Sequence, residues 1–166
     1  MAATYVLIAS NTVGAGGASS VTFSAIDSGY TDLKIVASTR TNTGANWTLI
    51  GINGGSDTAT TLNHLLDFNG TIYAQTYSSF RVPNNPSTTT SNTFSNVEIY
   101  IPNYTSSNSK SMSANGVVED NSTNTELQLA AFLWPYSSAI SSLTITNGGD
   151  NFVQYSTFYL YGIKNS

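Results

Sequence analysis

The pattern that most constrains the fold is an alternation of apolar and polar side chains with a period of two. In the segment SVTFSAI, for example, Val21 and Phe23 alternate with Thr22 and Ser24. Successive side chains of a β-strand point to opposite faces, so this period is typical of strands that bury one face. Such runs recur about every ten residues, separated by turn-forming Gly, Asn, Asp and Ser. The pattern predicts an all-β protein, an antiparallel β-sandwich or a barrel, with about eight to ten strands.

Length and composition favour a single folded domain over residues 1–166. A chain of 166 residues can bury a substantial core without disulfides. Charged residues make up only 8% of the sequence, against about 25% in ordinary soluble domains. A hydrophobic fraction of 40%, with ten Tyr and seven Phe, argues against disorder. We therefore expect one sandwich domain whose surface is built from hydroxyl and amide groups rather than from charges.

The distribution of cations and the absence of cysteine exclude several function classes. Nucleic-acid binding requires clustered Lys and Arg, because these displace counterions from phosphates. The five cations are instead scattered singly, as Lys34, Arg40, Arg81, Lys110 and Lys164. Without cysteine there is no disulfide and no zinc–sulfur site. No segment approaches the ~20 apolar residues that span a bilayer. We expect neither a nucleic-acid partner nor a membrane partner.

Three segments have less regular patterns. The leucines of Thr60–Gly70 lie at helical spacing, which leaves a short helix and an irregular strand both open. The pair Asn115–Gly116 predicts either a two-residue hairpin or one long strand with a glycine bulge. Pro83–Thr93 contains two prolines, Asn and a run of hydroxyl residues, and we predict a loop with nothing to pack.

The ionisable residues do not form a convincing catalytic pattern. His64 precedes Asp67 by three residues, so the two side chains could meet on a helix as a base and its orienting carboxylate. Glu98 and Glu126 lie on apparent strands whose opposite face is apolar, which predicts solvated positions for both carboxylates. Glu119–Asp120 lies at a strand end, where charges commonly protect sheet edges.

The oxygen-rich loops 119–124 and 148–151 do not match a calcium-binding pattern, and Asn/Asp loops are usually turns. The chain also lacks the Gly-x-Ser-x-Gly motif of serine hydrolases. We therefore predict no catalytic residue, no metal ligand and no cofactor, and expect that the chain is not an enzyme.

Two groups of aromatic residues are candidates for an interface. One is Trp134 with Tyr136, the other is Tyr73 with Tyr77 and Phe80, and Tyr104 is a further candidate. Such residues could stack on sugars, contact another protein or simply belong to the core. The residues alone leave these alternatives open.

The last strand has two apolar faces. Phe158 and Leu160 point one way and are predicted to enter the core. Tyr159, Tyr161 and Ile163 point the other way, and we expect a neighbouring subunit or a loop to cover them. Tyrosine suits a partly hydrated subunit interface because it is amphipathic.

We also expect this strand to lie within the sheet or beside the first strand, TYVLIAS, so that the two termini are close together. Gly162 would permit a close approach of neighbouring backbone at this point.

The order of several phrases resembles a group of virion proteins of tailed phages, many of them from cyanobacterial and other marine phages. These phrases are TYVLIAS, VTFSAIDSGYTDLKIVASTR, LLDFNGTIY and STFYLYGI, of which SGYTDL and LYGI match best. The resemblance covers most of the chain, from Thr4 to Ile163. It implies a β-sandwich of the jelly-roll type and adds no catalytic residue.

The resemblance also implies a function. Members of this group serve as capsid decoration (cement) proteins or as distal domains of tail fibres, commonly as trimers. The predicted strands begin within a few residues of Met1 and end about three residues before the C-terminus, and we expect no fibre shaft. The expectation is therefore a decoration protein on the virion surface that binds the major capsid protein as a homo-oligomer. A tail-fibre head or carbohydrate-binding module that contacts host-surface glycans is the alternative.

Overall fold

The computed structural model describes residues 4–44, 46–55, 61–119 and 125–164. Within these ranges the chain forms twelve β-strands and no helix. The strands are β1 (Thr4–Thr12), β2 (Ser20–Phe23), β3 (Asp32–Ser38), β4 (Trp47–Ile52), β5 (Thr61–Phe68), β6 (Thr71–Tyr77), β7 (Arg81–Pro83), β8 (Asn96–Ile101), β9 (Lys110–Glu119), β10 (Thr125–Trp134), β11 (Leu143–Thr146) and β12 (Thr157–Lys164). They form two antiparallel sheets, of eight and four strands. The predicted all-β sandwich is confirmed, with more strands than expected.

The strand order is that of a jelly roll with two added hairpins. The large sheet runs β1-β12-β3-β8-β9-β10-β5-β6, and the small sheet runs β2-β11-β4-β7. Eight strands form nested antiparallel pairs: β1 with β12, β2 with β11, β3 with β8 and β4 with β7. Further pairs, β12 with β3 and β11 with β4, join these into two sheets. Nested pairs that alternate between two sheets are the double-sheet arrangement of a jelly roll.

The hairpins β5–β6 and β9–β10 widen the large sheet. They add four strands beside β8, with β6 at the edge. The β5–β6 turn is Asn69–Gly70, where both residues have positive φ, 52° and 78°. A type I′ hairpin turn requires this conformation at both central residues. We call β1, β12, β3 and β8 the jelly-roll half of the large sheet, and β9, β10, β5 and β6 its hairpin half.

The terminal strand occupies the predicted position. β12 lies between β1 and β3, and Thr4 is paired with Lys164, so the two ends of the described chain are neighbours. Phe158 and Leu160 are fully buried. They lie in a core that both sheets build, together with Ile35 and the other buried apolar side chains.

The leucine-rich segment, for which the sequence left a short helix and a strand both open, forms a strand. β5 pairs with β10 on one side and with β6 on the other. Leu62 and Leu66 are buried on its inner face, whereas Leu65 is exposed on its outer face. The spacing that suggested a helix therefore arises from a strand with apolar residues on both faces.

Two glycines make room for side chains rather than for turns or backbone. β9 pairs continuously with β10 through Asn115 and Gly116, so of the two alternatives the long strand is correct, without a bulge, and the hairpin is wrong. A Cβ on Gly116 would lie 2.5 Å from Cγ of Pro83. A Cβ on Gly162 would lie 2.4 Å from the ring of Tyr30, so the close approach there involves a ring and not the expected neighbouring backbone.

The loop after β7 is held by a buried arginine. The Arg40 guanidinium is buried and donates hydrogen bonds of 2.8–3.2 Å to carbonyl or hydroxyl oxygens of Ser87, Thr89, Thr90 and Thr93. The expectation that this loop has nothing to pack is wrong. Arg40 alone supplies these hydrogen-bond donors to the oxygens of the loop. From the sequence it was recognisable only as an isolated positive charge.

Replacing Gly116 by Ala tests the tight contact with Pro83. The added methyl group meets a rigid ring in the core, so we expect a loss of about 1–3 kcal/mol in the free energy of unfolding, measured by denaturant titration. Gly14→Ala is the matched control, because a Cβ on Gly14 meets nothing within 4 Å. Equal stability of the two variants would contradict the packing.

Candidate functional site

The outer face of the large sheet exposes large apolar side chains. An antiparallel sheet with one face in water normally carries polar residues on that face. Here Tyr5 of the edge strand β1 is 57% exposed and Leu129 of the inner strand β10 is 62% exposed, and both line one cavity on this face. Apolar surface of this extent marks interaction sites on soluble proteins. The outer face is therefore the candidate site.

Tyrosines dominate the jelly-roll half of the outer face. Tyr159 and Tyr161 are half-buried neighbours on β12, with stacked rings whose centroids are 6.5 Å apart. Tyr161 is paired with Leu7 of β1, which is half exposed. Tyr100 of β8 lies on the same face. These side chains combine apolar rings with hydroxyl groups, as the residues of a partly hydrated interface do.

An ion pair and a short polar network organise this half. Lys34 Nζ lies 2.9 Å from Glu98 Oε2, and the same ammonium lies 5.9 Å from the ring centroid of Tyr5. The Tyr100 hydroxyl donates to Asp32 Oδ2 at 2.7 Å. This hydrogen bond to the carboxylate, with burial, raises the pKa of Tyr100 to about 12. The network fixes the Tyr100 side chain in place.

Aliphatic side chains dominate the hairpin half of the outer face. Leu129 is paired with Leu65 across the β10–β5 ladder. Leu127 is paired with Val117 across the β9–β10 ladder. All four side chains are at least 40% exposed, and Ile72 at the sheet edge is 67% exposed.

The inner face of β10 has the opposite character. Its burial pattern alternates strictly, and Glu126 and Gln128 are the buried residues beside the exposed leucines. Burying a carboxylate and an amide costs free energy unless they find partners. Strand β10 is therefore polar inside and apolar outside at its N-terminal end.

His64 lies on the neighbouring strand β5, where its two ring nitrogens contact the side-chain amides of Gln128 and Gln75. Gln128 Nε2 donates to His64 Nδ1 at 2.8 Å, so His64 Nε2 carries the proton and donates to Gln75 Oε1 at 3.2 Å. Burial lowers the pKa of His64; the Gln75 hydrogen bond opposes this, and the charge of Arg81 adds to it. The imidazole is a neutral structural group here.

Arg81 covers the aromatic rings beside His64. Its guanidinium carbon lies 3.1 Å from the ring centroid of Tyr77 and 4.8 Å from that of Trp47. Burial lowers the pKa of Arg81. Because the guanidinium occupies these ring faces, they are not free to stack on a sugar.

Glu126 lines a small cavity at the end of β10. The cavity has a volume of about 100 Å³, and Asn46, Phe68, Val118 and Thr125 are among its other walls. Within the described residues, Glu126 Oε1 has no hydrogen-bond partner. Burial raises the pKa of Glu126 to about 7, and the charge of Arg81 opposes the shift. The expectation that Glu126 is solvated is wrong, because the strand turns this residue inward.

The predicted interface residues separate into two groups. Phe80 and Tyr104 are fully buried and Trp134 is 6% exposed, so the structure places these three in the core instead. Ile163 is 4% exposed but is not part of the core cluster; it is covered within the chain at its pairings with Tyr5 and Asp32. Tyr77 is half-buried under Arg81. Tyr136 is 49% exposed. Tyr136 and the exposed Tyr73 therefore present surface to a partner, as do the half-buried Tyr159 and Tyr161, whereas Tyr77 is covered by Arg81.

The predicted ionisable pairs do not come together. His64 points inward on β5, whereas Asp67, an odd number of residues away, accepts a hydrogen bond from the Gly70 amide on the outer side. Glu98 is engaged by Lys34. Glu119 is exposed at the end of β9, and Asp120 lies outside the described residues. Among the described residues, no three acidic, His or Cys side chains are grouped as metal ligands.

The exposed leucines of the hairpin half were missed by sequence reasoning. The segment TELQLAAFLW, which carries Glu126 on an apparent strand, contains most of them. A signal was available: Leu127 and Leu129 occupy one alternating row, while Phe132 and Trp134 occupy the other. Two apolar rows on one strand indicate that both faces are covered.

Comparisons with known proteins do not assign the chain to a family. No protein-family model matches it, and no curated protein is significantly similar to it. Among the described residues, no helix has the length and apolar character needed to cross a membrane.

The Glu126 carboxyl predicts a pH-dependent stability. Its pKa rises from 4.5 in the unfolded chain to about 7 in the fold, so the native state binds more protons between these values. Stability should therefore fall as pH rises through this window, by at most about 3 kcal/mol, and level off above it. Chemical denaturation at several pH values measures this slope.

Glu126→Gln should remove most of that slope because an amide does not titrate. Glu98→Gln is the matched control: it loses only a surface ion pair, worth about 0–1 kcal/mol, and should keep the slope. A slope that is equal in Glu126→Gln and the unaltered chain would show that the buried carboxyl is not its source.

Proposed function

We propose that this chain is a structural protein of a tailed-phage virion, a capsid decoration protein that binds the major capsid protein through the jelly-roll half of its outer face. The observation that carries the proposal is the row of exposed and half-buried tyrosines on that face, Tyr5, Tyr100, Tyr159 and Tyr161. The resemblance of its phrases to virion proteins supplies the class of partner.

The physical character of the tyrosine row supports docking on a protein surface. Tyrosine is enriched in the cores of protein–protein interfaces and loses little conformational entropy when it is covered. The stacked pair Tyr159 and Tyr161 and the Tyr100–Asp32 hydrogen bond hold these rings in fixed positions before binding. A preorganised surface avoids part of the entropic cost of association.

A rigid sandwich also suits the stabilisation of a shell. A protein that binds only the assembled shell stabilises it by mass action. The jelly roll supplies a stiff platform because its β-strand pairs connect distant parts of the chain, from Thr4↔Lys164 at the termini inward. In this proposal the protein resides on the outer surface of the virion. The resemblance implies a trimer, and the mass of the purified chain in solution tests that expectation against other homo-oligomers.

A tail-fibre or carbohydrate-binding module is the alternative, and the structure gives it less support. The Trp134 ring is covered by Lys110 and Tyr136, with the Lys110 ammonium 5.2 Å from its centroid. The Tyr77 ring is covered by Arg81. Of the candidate sugar-binding rings, Tyr136 is 49% exposed and Tyr73, on the edge strand β6, is 41% exposed. Saturable glycan binding that is lost in Tyr136→Ala would favour this alternative.

Capsid binding tests the decoration proposal. The double variant Tyr159→Ser, Tyr161→Ser should bind capsids that lack the protein at least tenfold more weakly, measured by co-sedimentation, because each buried interface aromatic contributes about 1–2 kcal/mol or more. The control is Tyr155→Asn, in the loop before β12, where the tyrosine is 66% exposed. Asn is chosen because it tolerates the positive φ of 73° at this position.

Circular dichroism should confirm that both variants are folded. Undiminished capsid binding by the double variant would contradict docking through this face. Failure of the unaltered protein to bind capsids would contradict the decoration function itself.

A further inference from the structure

The hairpin half of the outer face has a different chemistry from the jelly-roll half. Its exposed large side chains are aliphatic, and Leu127, Leu129 and Ile72 are each more than half exposed. Surfaces of this kind resemble a core cut in half, which is typical of permanent interfaces. Tyrosine-rich surfaces are instead typical of interfaces that remain partly hydrated.

The orientation of β10 makes this exposure costly for an isolated chain. The leucines face water while Glu126 and Gln128 are buried, although the reverse arrangement would suit a monomer. A layer of protein over the leucines removes the free-energy cost of exposing their side chains to water.

Area and charge indicate what forms this layer. Six aliphatic side chains are exposed there: Leu65, Ile72, Val117, Leu127, Leu129 and Leu133. At on the order of 100 Å² each, with the small residues between them, they offer roughly the 800 Å² per partner of a standard specific interface.

The charges of the surface favour an identical partner. Asp67 is the carboxylate nearest the centre, and its Oδ1 accepts the Gly70 amide at 2.8 Å, at the turn end of the hairpin. Four of the five cations lie outside the hairpin half, and the fifth, Lys110 at the start of β9, is buried with its ammonium bonded to loop carbonyls. Apart from Asp67, which is paired with Leu127, the centre of this surface is uncharged, so its leucines meet those of a second copy without repulsion and offer an acidic or basic partner no complementary group.

We propose that the hairpin half packs face to face on the hairpin half of a second copy, about a two-fold axis near the Leu129–Leu65 pair. A patch that meets itself does so about a two-fold axis. Two sheets pack about 10 Å apart with strands about 30° from parallel, and aliphatic side chains interdigitate between them. The jelly-roll half remains open on each copy, so this pairing does not depend on the proposed capsid contact.

The mass of the purified full chain in solution tests the pairing. Light scattering after size-exclusion chromatography at micromolar concentration should give twice the 17.6 kDa chain mass. Leu127→Ser, Leu129→Ser should give the mass of one chain at the same concentration, with an unchanged circular dichroism spectrum. The matched control, Tyr5→Ser, Leu7→Ser, changes two exposed residues of the jelly-roll half and should remain a dimer.

Several outcomes would overturn the pairing: a single-chain mass for the unaltered protein, a mass of three chains, or a double leucine variant that remains a dimer. Loss of the dimer in the Tyr5, Leu7 control would also overturn it, because the contact would then involve the other half. If the double variant does not fold, Leu129→Lys provides the same test with one outward substitution. Capsid binding plays no part in this measurement, so the two proposals fail separately.

Discussion

The ring contact between Phe80 and Phe132 fixes the orientation on which the outer face depends. Their centroids are 3.7 Å apart, both rings are buried, and they join the small-sheet side of the sandwich to β10. Because side chains alternate along a strand, placing Phe132 inward also places Glu126 inward and Leu129 outward. A one-residue slip would reverse every side chain. The exposed leucines and the buried carboxyl are thus two consequences of one packing contact.

Few charged side chains lie on the surface, partly because Arg40 and Lys110 are buried. The Arg40 guanidinium holds the oxygens of the loop after β7, and the Lys110 ammonium donates to the carbonyls of Ser106, Tyr136 and Ser138 at 2.6–3.3 Å. Both side chains are less than 10% exposed. These cations donate hydrogen bonds to loop carbonyl groups that would otherwise need water as their partner. The outer face consequently keeps few charges, which favours contact with another protein.

The sequence predicted the sandwich and the core side of the last strand because strict alternation and turn residues are local signals. It could not predict which row of β10 faces inward, since both rows contain large apolar residues and Phe80, the residue that decides, lies far away in sequence. The same limit explains Glu126, whose burial follows from that choice. Asn115–Gly116 left a turn and a long strand both open, because the ring of Pro83, which fills the space above Gly116, is also distant in sequence.

The central claim is that protein covers the outer face of the large sheet in the working assembly. Hydroxyl-radical footprinting of the assembled particle, compared with a dissociated chain, measures this most directly. We expect four residues to lose most of their reactivity on assembly, Leu127, Leu129, Tyr159 and Tyr161, whereas Tyr155, exposed in the loop before β12, keeps its own. Equal reactivity of all five residues in the particle and in the dissociated chain would contradict the claim.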